Sequence, residues 1–194
     1  MNLFGQCWAV VLCSAVASIP LAGCAGVPEP LSEAELCARL VSATGDVGVA
    51  TMDDQFEILA RTLPGGFAGV TYQDLFLKQP DYAETVRESA RRVGSCPNRQ
   101  IETQFLYLIQ HNTVRKAKYD WVELRHWYAQ LFDAGGWATG DISEGINRLS
   151  FTFRTQATLT VFLGKARALG VPDDALDLVF SPGTAVDFVA ARGQ

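Results

Sequence analysis

Leu63-Pro64-Gly65-Gly66-Phe67-Ala68-Gly69-Val70 is the stretch on which the fold turns, because its centre recurs. Gly65-Gly66-Phe67-Ala68 is matched seventy residues later by Gly135-Gly136-Trp137-Ala138. Each double glycine stops a helical pattern, and β-prone residues follow it. After the first copy, residues 67–73 and 75–79 alternate apolar and polar side chains on either side of Asp74, as a hairpin does. A helix follows, opened by the capping-box-like Asp81-Tyr82-Ala83-Glu84 and closed by Gly94, with Tyr82, Val86, Ala90 and Val93 on one face. Residues 104–110 read as a strongly apolar strand, and 113–119 continue the sheet edge. After the second copy come strands at 137–142 and 148–154, joined by a turn containing Gly145 and Asn147. A helix at 156–169 and a last strand at 176–180 complete it. The two copies share the order strand, strand, helix, strand, with closing strands at 104–109 and 176–181, so the pattern predicts a duplicated ββαβ unit.

Working outward, Asp120-Trp121-Val122-Glu123 is a further capping box, and its helix carries Trp121, Leu124, Tyr128 and Leu131 on one side. Upstream, Ser32-Glu33-Ala34-Glu35 caps a helix that buries Leu36, Leu40 and Val41 and ends at Gly45. A weaker helical pattern holds Phe56, Leu59 and Leu63. From Phe105 to Phe180 the order is βαββαβ, that of ferredoxin-like folds. The expected class is α+β: tandem ββαβ-type units forming ferredoxin-like (split βαβ) sheets, with helices on one face and two helices in front. The expected division is a first unit at 32–103, a second at 104–181 and a tail at 182–194.

The N-terminus reads as an address. No charged residue precedes Glu29, and an apolar run from Leu3 ends in Leu21-Ala22-Gly23-Cys24, which looks like a bacterial lipobox. Residues 1–23 are then a lipoprotein signal peptide, Cys24 the lipidated residue and 24–31 a linker. Acyl chains at one residue suffice for stable anchoring. A transmembrane anchor of about 20 residues is the rival reading; Pro20 and the small residues before Cys24 favour cleavage. The n-region lacks Lys and Arg. The expected location is the extracytoplasmic face of the cell membrane or outer membrane. Cys37 and Cys96 remain in the mature chain, and outside the cytoplasm a disulfide is the simplest reading. It would close a loop of about sixty residues, contributing roughly 3–4 kcal/mol. Two free thiols are the alternative; a metal site is disfavoured, because neither cysteine has a Cys or His at ligand spacing.

The 194 residues are 48% hydrophobic and 19% charged, with a net charge of −5, which excludes a disordered chain. A pI near 5.0 argues against a nucleic-acid partner.

A family resemblance runs through the same motifs. Leu63 to Val70 resembles the "P-x-x-F-A/G-G" strand that opens the propeptide domains of streptogrisin and α-lytic-type serine proteases. Tyr119-Asp120-Trp121-Val122-Glu123-Leu124 is similar to their "Y-S-x-x-E-L" junction, with Asp as the cap. Asp141 followed by Ile146-Asn147-Arg148-Leu149 is similar to their "D…N-R-V" hairpin. The resemblance covers residues 56–180. It implies small α+β units that bind a serine protease, template its folding and inhibit it, with a C-terminal segment near the protease cleft. The protease itself is missing from the chain.

Little else points to chemistry. Neither a G-x-S-x-G elbow, an H-E-x-x-H pair nor a phosphate loop occurs. His111 at the end of an apolar run and His126 on a helix read as solvent-facing. Asp53-Asp54 and Asp173-Asp174 suit helix starts, and Arg91-Arg92 with Arg115, Lys116 and Lys118 read as solvated faces. Trp121, Trp127 and Trp137 are the open question: six residues at 100° each separate Trp121 from Trp127, so one ring is expected to form an exposed binding patch. The leading expectation is a non-enzymatic, lipid-anchored envelope protein that binds another protein, a serine protease among the candidates, with no cofactor and no metal. A small envelope hydrolase using His111 or His126, and a purely structural lipoprotein, are the alternatives.

Overall fold

The computed structural model describes residues 31–48, 51–97 and 99–182. The expected signal peptide at 1–23, Cys24, the expected linker up to residue 30 and the tail from residue 183 lie outside the described residues. Helix α1, Glu33–Val47, opens with the expected capping box: Ser32 Oγ accepts from the Glu35 amide, and Glu35 accepts from the Ser32 amide at 2.9 Å. Its buried stripe is Leu36, Leu40 and Ala43. Val41, expected inside, is 66% exposed, because the helix turns it off that stripe. The helix also runs through Gly45 to a cap at Gly48, since one interior glycine weakens a helix by only about 1 kcal/mol. Helix α2, Met52–Thr62, is capped by Thr51 and Asp54 and buries Phe56, Ile58 and Leu59.

Two three-stranded sheets follow, of identical topology. In the first, β1 (Phe67–Val70) pairs antiparallel with β2 (Asp74–Leu77), and β2 pairs parallel with β3 (Thr113–Lys116). In the second, β4 (Thr139–Ser143) pairs antiparallel with β5 (Arg148–Phe153), and β5 pairs parallel with β6 (Leu176–Phe180). The middle strand of each sheet is the second strand of its hairpin. Both double glycines enter their units in the same left-handed conformation, with φ of +80° and +68° at Gly65 and Gly66 and +65° and +78° at Gly135 and Gly136. Side chains rarely adopt that conformation. The fold is α+β. The succession of β3, helix α5 (Trp121–Phe132), β4, β5, helix α6 (Gln156–Ala168) and β6 has the βαββαβ order, with β3 in the first sheet and the other strands in the second; the first sheet thus takes its last strand from beyond residue 103.

Two local expectations are corrected. Residues 104–110 are not a strand: they lie in helix α4, Thr103–His111. Leu106 and Ile109 are buried, Phe105 and Leu108 half-buried and Tyr107 exposed, which is a helical stripe. A short apolar run fits either period, and the parallel crossover from β2 to β3 is spanned by helices, α3 (Ala83–Ser95) and α4. Asp81 makes no capping box either. A 3-10 turn, Pro80–Tyr82, leads into α3, whose N-cap is Tyr82 without a side-chain bond.

Helix α5, Trp121–Phe132, joins the units and carries its capping box at Asp120 and Glu123. Phe56 is the hub of the first core, edge-on to Phe67, Phe105 and Trp121 at 5.8, 5.0 and 5.0 Å. Phe151 and Phe153 pack on Phe162 of α6 (Gln156–Ala168) in the second. Cys37 of α1 is disulfide-bonded to Cys96 at the end of α3.

The units are gripped together at Asn147, in the β4–β5 turn. Its Oδ1 accepts from the amides of Lys118 and Tyr119 at 2.8 and 2.9 Å, and its Nδ2 donates to the Tyr119 carbonyl at 2.9 Å. Asn147 is buried and has φ of +55°. The Tyr119 hydroxyl donates to Asp174 at 2.7 Å, and Lys118 pairs with the same carboxylate.

Asn147→Ala leaves three backbone groups without their partners and is expected to lower unfolding free energy by about 2–4 kcal/mol. Asn147→Gly relieves the left-handed strain and should recover about 1 kcal/mol of that. Urea denaturation measures both; a loss under about 0.5 kcal/mol for each would show that the grip is not stabilising. Replacing Cys37 and Cys96 together by Ser is expected to cost about 3–4 kcal/mol, read in the same way.

Candidate functional site: an apolar cleft where the two units meet

Helix α5 sets the relative placement of α2, β1 and the β4–β5 turn. Trp121 Nε1 donates to the Asp53 carbonyl at 3.2 Å, tying the start of α5 to the start of α2. One turn on, Arg125 reaches Asp53 at 2.7 Å, Asp54 at 3.2 Å and Glu57 at 3.7 Å. Lys78, just after β2, bonds Glu123 at 2.7 Å and Asp120 at 3.5 Å. These contacts leave Met52 of α2, the β1–β2 turn, one face of α4 and Glu144 around a shared cleft.

The cleft has a volume of about 470 Å³, within the roughly 300–1,000 Å³ of small-ligand sites. Val70, Phe105 and Leu108 form an apolar lining, with Met52 and Tyr72 at the mouth and Glu102, Gln104 and Glu144 as polar groups. Tyr72 is 83% exposed. Glu102 is held: its Oε1 accepts from Gln55 Nε2 at 3.1 Å, and its amide donates to Gln55 Oε1 at 2.9 Å.

Glu144 belongs to the second unit yet lies against the first. β1 is bulged between Phe67 and Gly69, and Gly69 sits at φ +138°. A Cβ there would come within 3.0–3.1 Å of Glu144 Cγ and Cβ, so the bare backbone makes room for the acid. Burial pushes the Glu144 carboxyl above the usual carboxylate range. Its own amide pulls it back down, and the Asp141 and Asp53 carboxylates raise it further. Among the described residues no cation pairs with it. Burial raises Asp53 as well, against the opposing pull of Arg125.

The residues singled out by sequence are scattered. Cys37 and Cys96 form the disulfide, far in role from the cleft. Trp121 is not a binding residue: at 0% exposure it is core, because its indole fills the space between α2 and β1 and its N–H is spent on Asp53. Trp127 is half-buried, edge-on to Tyr119 at 5.2 Å. Trp137 is half-buried, 4.6 Å from Phe132, with its N–H on the Phe132 carbonyl at 3.3 Å. The three rings form no common patch. His111 and His126 are exposed; His111 stacks on Tyr107 at 4.1 Å, and neither lines the cleft. Cys24 and residues 183–194 lie outside the described residues. No helix among the described residues is long and apolar enough to cross a membrane.

The cleft itself was missed, because its lining comes from residues 52 to 144 and no motif spans that distance. Gly69 and Asn147, both inside recognised motifs, were the nearest signals. Comparisons of the chain with protein-family models, with curated proteins and with solved structures found no match in any of the three.

Because the folded chain raises the Glu144 carboxyl, ionised Glu144 is disfavoured relative to the unfolded state. The stability linked to this group is present below the unfolded value and is lost as pH rises through the folded one. Glu144→Gln is therefore expected to raise the urea midpoint at pH 7 and to leave it unchanged at a pH below the ordinary carboxylate range. A midpoint that falls at pH 7 would show instead that the carboxylate is favourably held.

Proposed function

We propose that the chain is a non-enzymatic lipoprotein of the cell envelope, anchored through Cys24 at the cell membrane or outer membrane, whose paired ββαβ units bind another protein. The observation that carries this reading is the outer edge of the second sheet. β6 reads Leu-Asp-Leu-Val-Phe and pairs with β5 in five continuous parallel steps; among the described residues nothing pairs with its other side. Val179 and Phe180 are 48% and 46% exposed. The Ser181 amide bonds back to Phe153, so by alternation Leu178 and Phe180 turn their backbone groups outward.

Open edges of this kind are usually blunted by charges, bulges or proline. The equivalent strand of the first unit, Thr-Val-Arg-Lys, does carry charges, with Arg115 paired to Asp74 at 3.0 Å. β6 carries a single charge, Asp177, whose carboxylate accepts from Ser150 of β5 at 3.3 Å, and its last two residues, Val179 and Phe180, are apolar and exposed where the strand leads into the tail from residue 182. An apolar edge suits strand addition by a partner. The disulfide suits an oxidising compartment, and the motif resemblance supplies the class of partner, an extracytoplasmic serine protease.

The test is capture of partners from the native envelope and culture medium by the mature domain carrying Cys24→Ser, with identification by mass spectrometry. A serine protease held stoichiometrically is expected. Its affinity should fall roughly tenfold or more, about 1.4 kcal/mol, on deleting residues 183–194 or introducing Val179→Lys. No captured protease, or binding indifferent to both changes, overturns the reading.

A further inference from the structure

The cleft combines two features that ask for one kind of ligand. Its lining is apolar, from Val70, Phe105 and Leu108, and of its two carboxylates Glu102 is bonded to Gln55 while Glu144 has no side-chain partner among the described residues. Asp53 and Asp141 add negative potential at that carboxylate. Arg125, the cation on the neighbouring turn of α5, is already shared among Asp53, Asp54 and Glu57. Gln104 and the Tyr72 hydroxyl also carry no side-chain bond to another described residue, and the Tyr72 ring stands exposed at the mouth.

A neutral apolar ligand would bury Glu144 further without compensation, and an acidic one would be repelled. A cation on an apolar stem meets both demands, because its methylenes cover the lining while its charge meets the acid. A Tyr face beside the entrance adds a site where a guanidinium can stack. We propose that the cleft seats one long basic side chain of a protein partner, arginine or lysine, its stem on Phe105 and Leu108 and its cationic head on Glu144. The occupant's being a protein rests on the protein-binding reading above; the chemistry of the site does not.

The experiment is an NMR titration of the 15N-labelled mature domain (Cys24→Ser) with acetyl-Phe-Arg-amide and its neutral isostere acetyl-Phe-citrulline-amide. Butylguanidinium serves as a third probe. The arginine peptide is expected to shift the Tyr72, Phe105, Leu108 and Glu144 amides and to bind roughly fivefold tighter than the citrulline peptide, as for a half-exposed ion pair. That preference should shrink in high salt and vanish in Glu144→Gln, with citrulline binding unchanged. No shifts at the cleft, equal affinity for the two peptides, or a preference that survives Glu144→Gln overturns the site. Butylguanidinium binding as tightly as the arginine peptide overturns the protein side chain as occupant and makes the cleft a site for small cations. No captured partner is needed, so a failed capture beside a successful titration removes the function proposed above and leaves the cation site standing.

Discussion

The peptide groups of Lys118 and Tyr119 sit where β3 ends and α5 begins, outside the bonding of either element, and those of Tyr119 are buried. Asn147 satisfies them, accepting twice and donating once from a single side chain. An unpaired buried amide or carbonyl costs about 1–3 kcal/mol, so that side chain stabilises the junction through the buried groups of Tyr119. Asparagine can do this from φ +55° because it tolerates the left-handed region better than other side chains. The β4–β5 turn is thereby locked onto the first unit. The direction of α5, the seat of Trp121 and the position of Glu144 all follow from that lock.

Stability and function draw on different parts of the molecule. Apolar burial around Phe56 and Phe151 provides the cohesion, and the disulfide restrains α1 against α3. The ion pairs of Arg125 and Lys78 are partly exposed and are worth about 0–1 kcal/mol each; their value is orientation, since they set where α5 lies against α2 and β2. Glu144 breaks the pattern. It is half-buried, has no cation paired with it among the described residues and stands against the bare backbone of Gly69, where a Cβ would crowd it. Burial without a paired cation disfavours the charged form of such a carboxylate.

The two units share one sheet topology and differ at their outer edges. The first sheet carries a charged outer strand and is braced by the disulfide-linked helices, so it reads as the structural half. The second leaves the apolar edge of β6 open and sends its turn across to complete the cleft. Neither unit alone forms that cleft, which needs Met52, Tyr72 and Phe105 from one side and Glu144 from the other.

Much of this was legible from residue order. The capping boxes at Ser32 and Asp120 were recognisable because a cap is made within four residues, and the hairpins because alternation and double glycines act locally. The strand read into 104–110 shows the limit: seven apolar-rich residues suit either period, and only packing between α3 and the sheet makes them a helix. Trp121 shows the same limit for function, since helical spacing separates it from Trp127 without telling which ring faces the core. The sequence by itself determined the α+β class, the two hairpins, the helix caps at Ser32 and Asp120 and, as the simplest reading, the pairing of Cys37 with Cys96. The tertiary structure alone decided which tryptophan is buried, that Asn147 clasps the units and that Glu144 faces an apolar cleft, because these depend on contacts between residues tens of positions apart, where no local pattern carries the information.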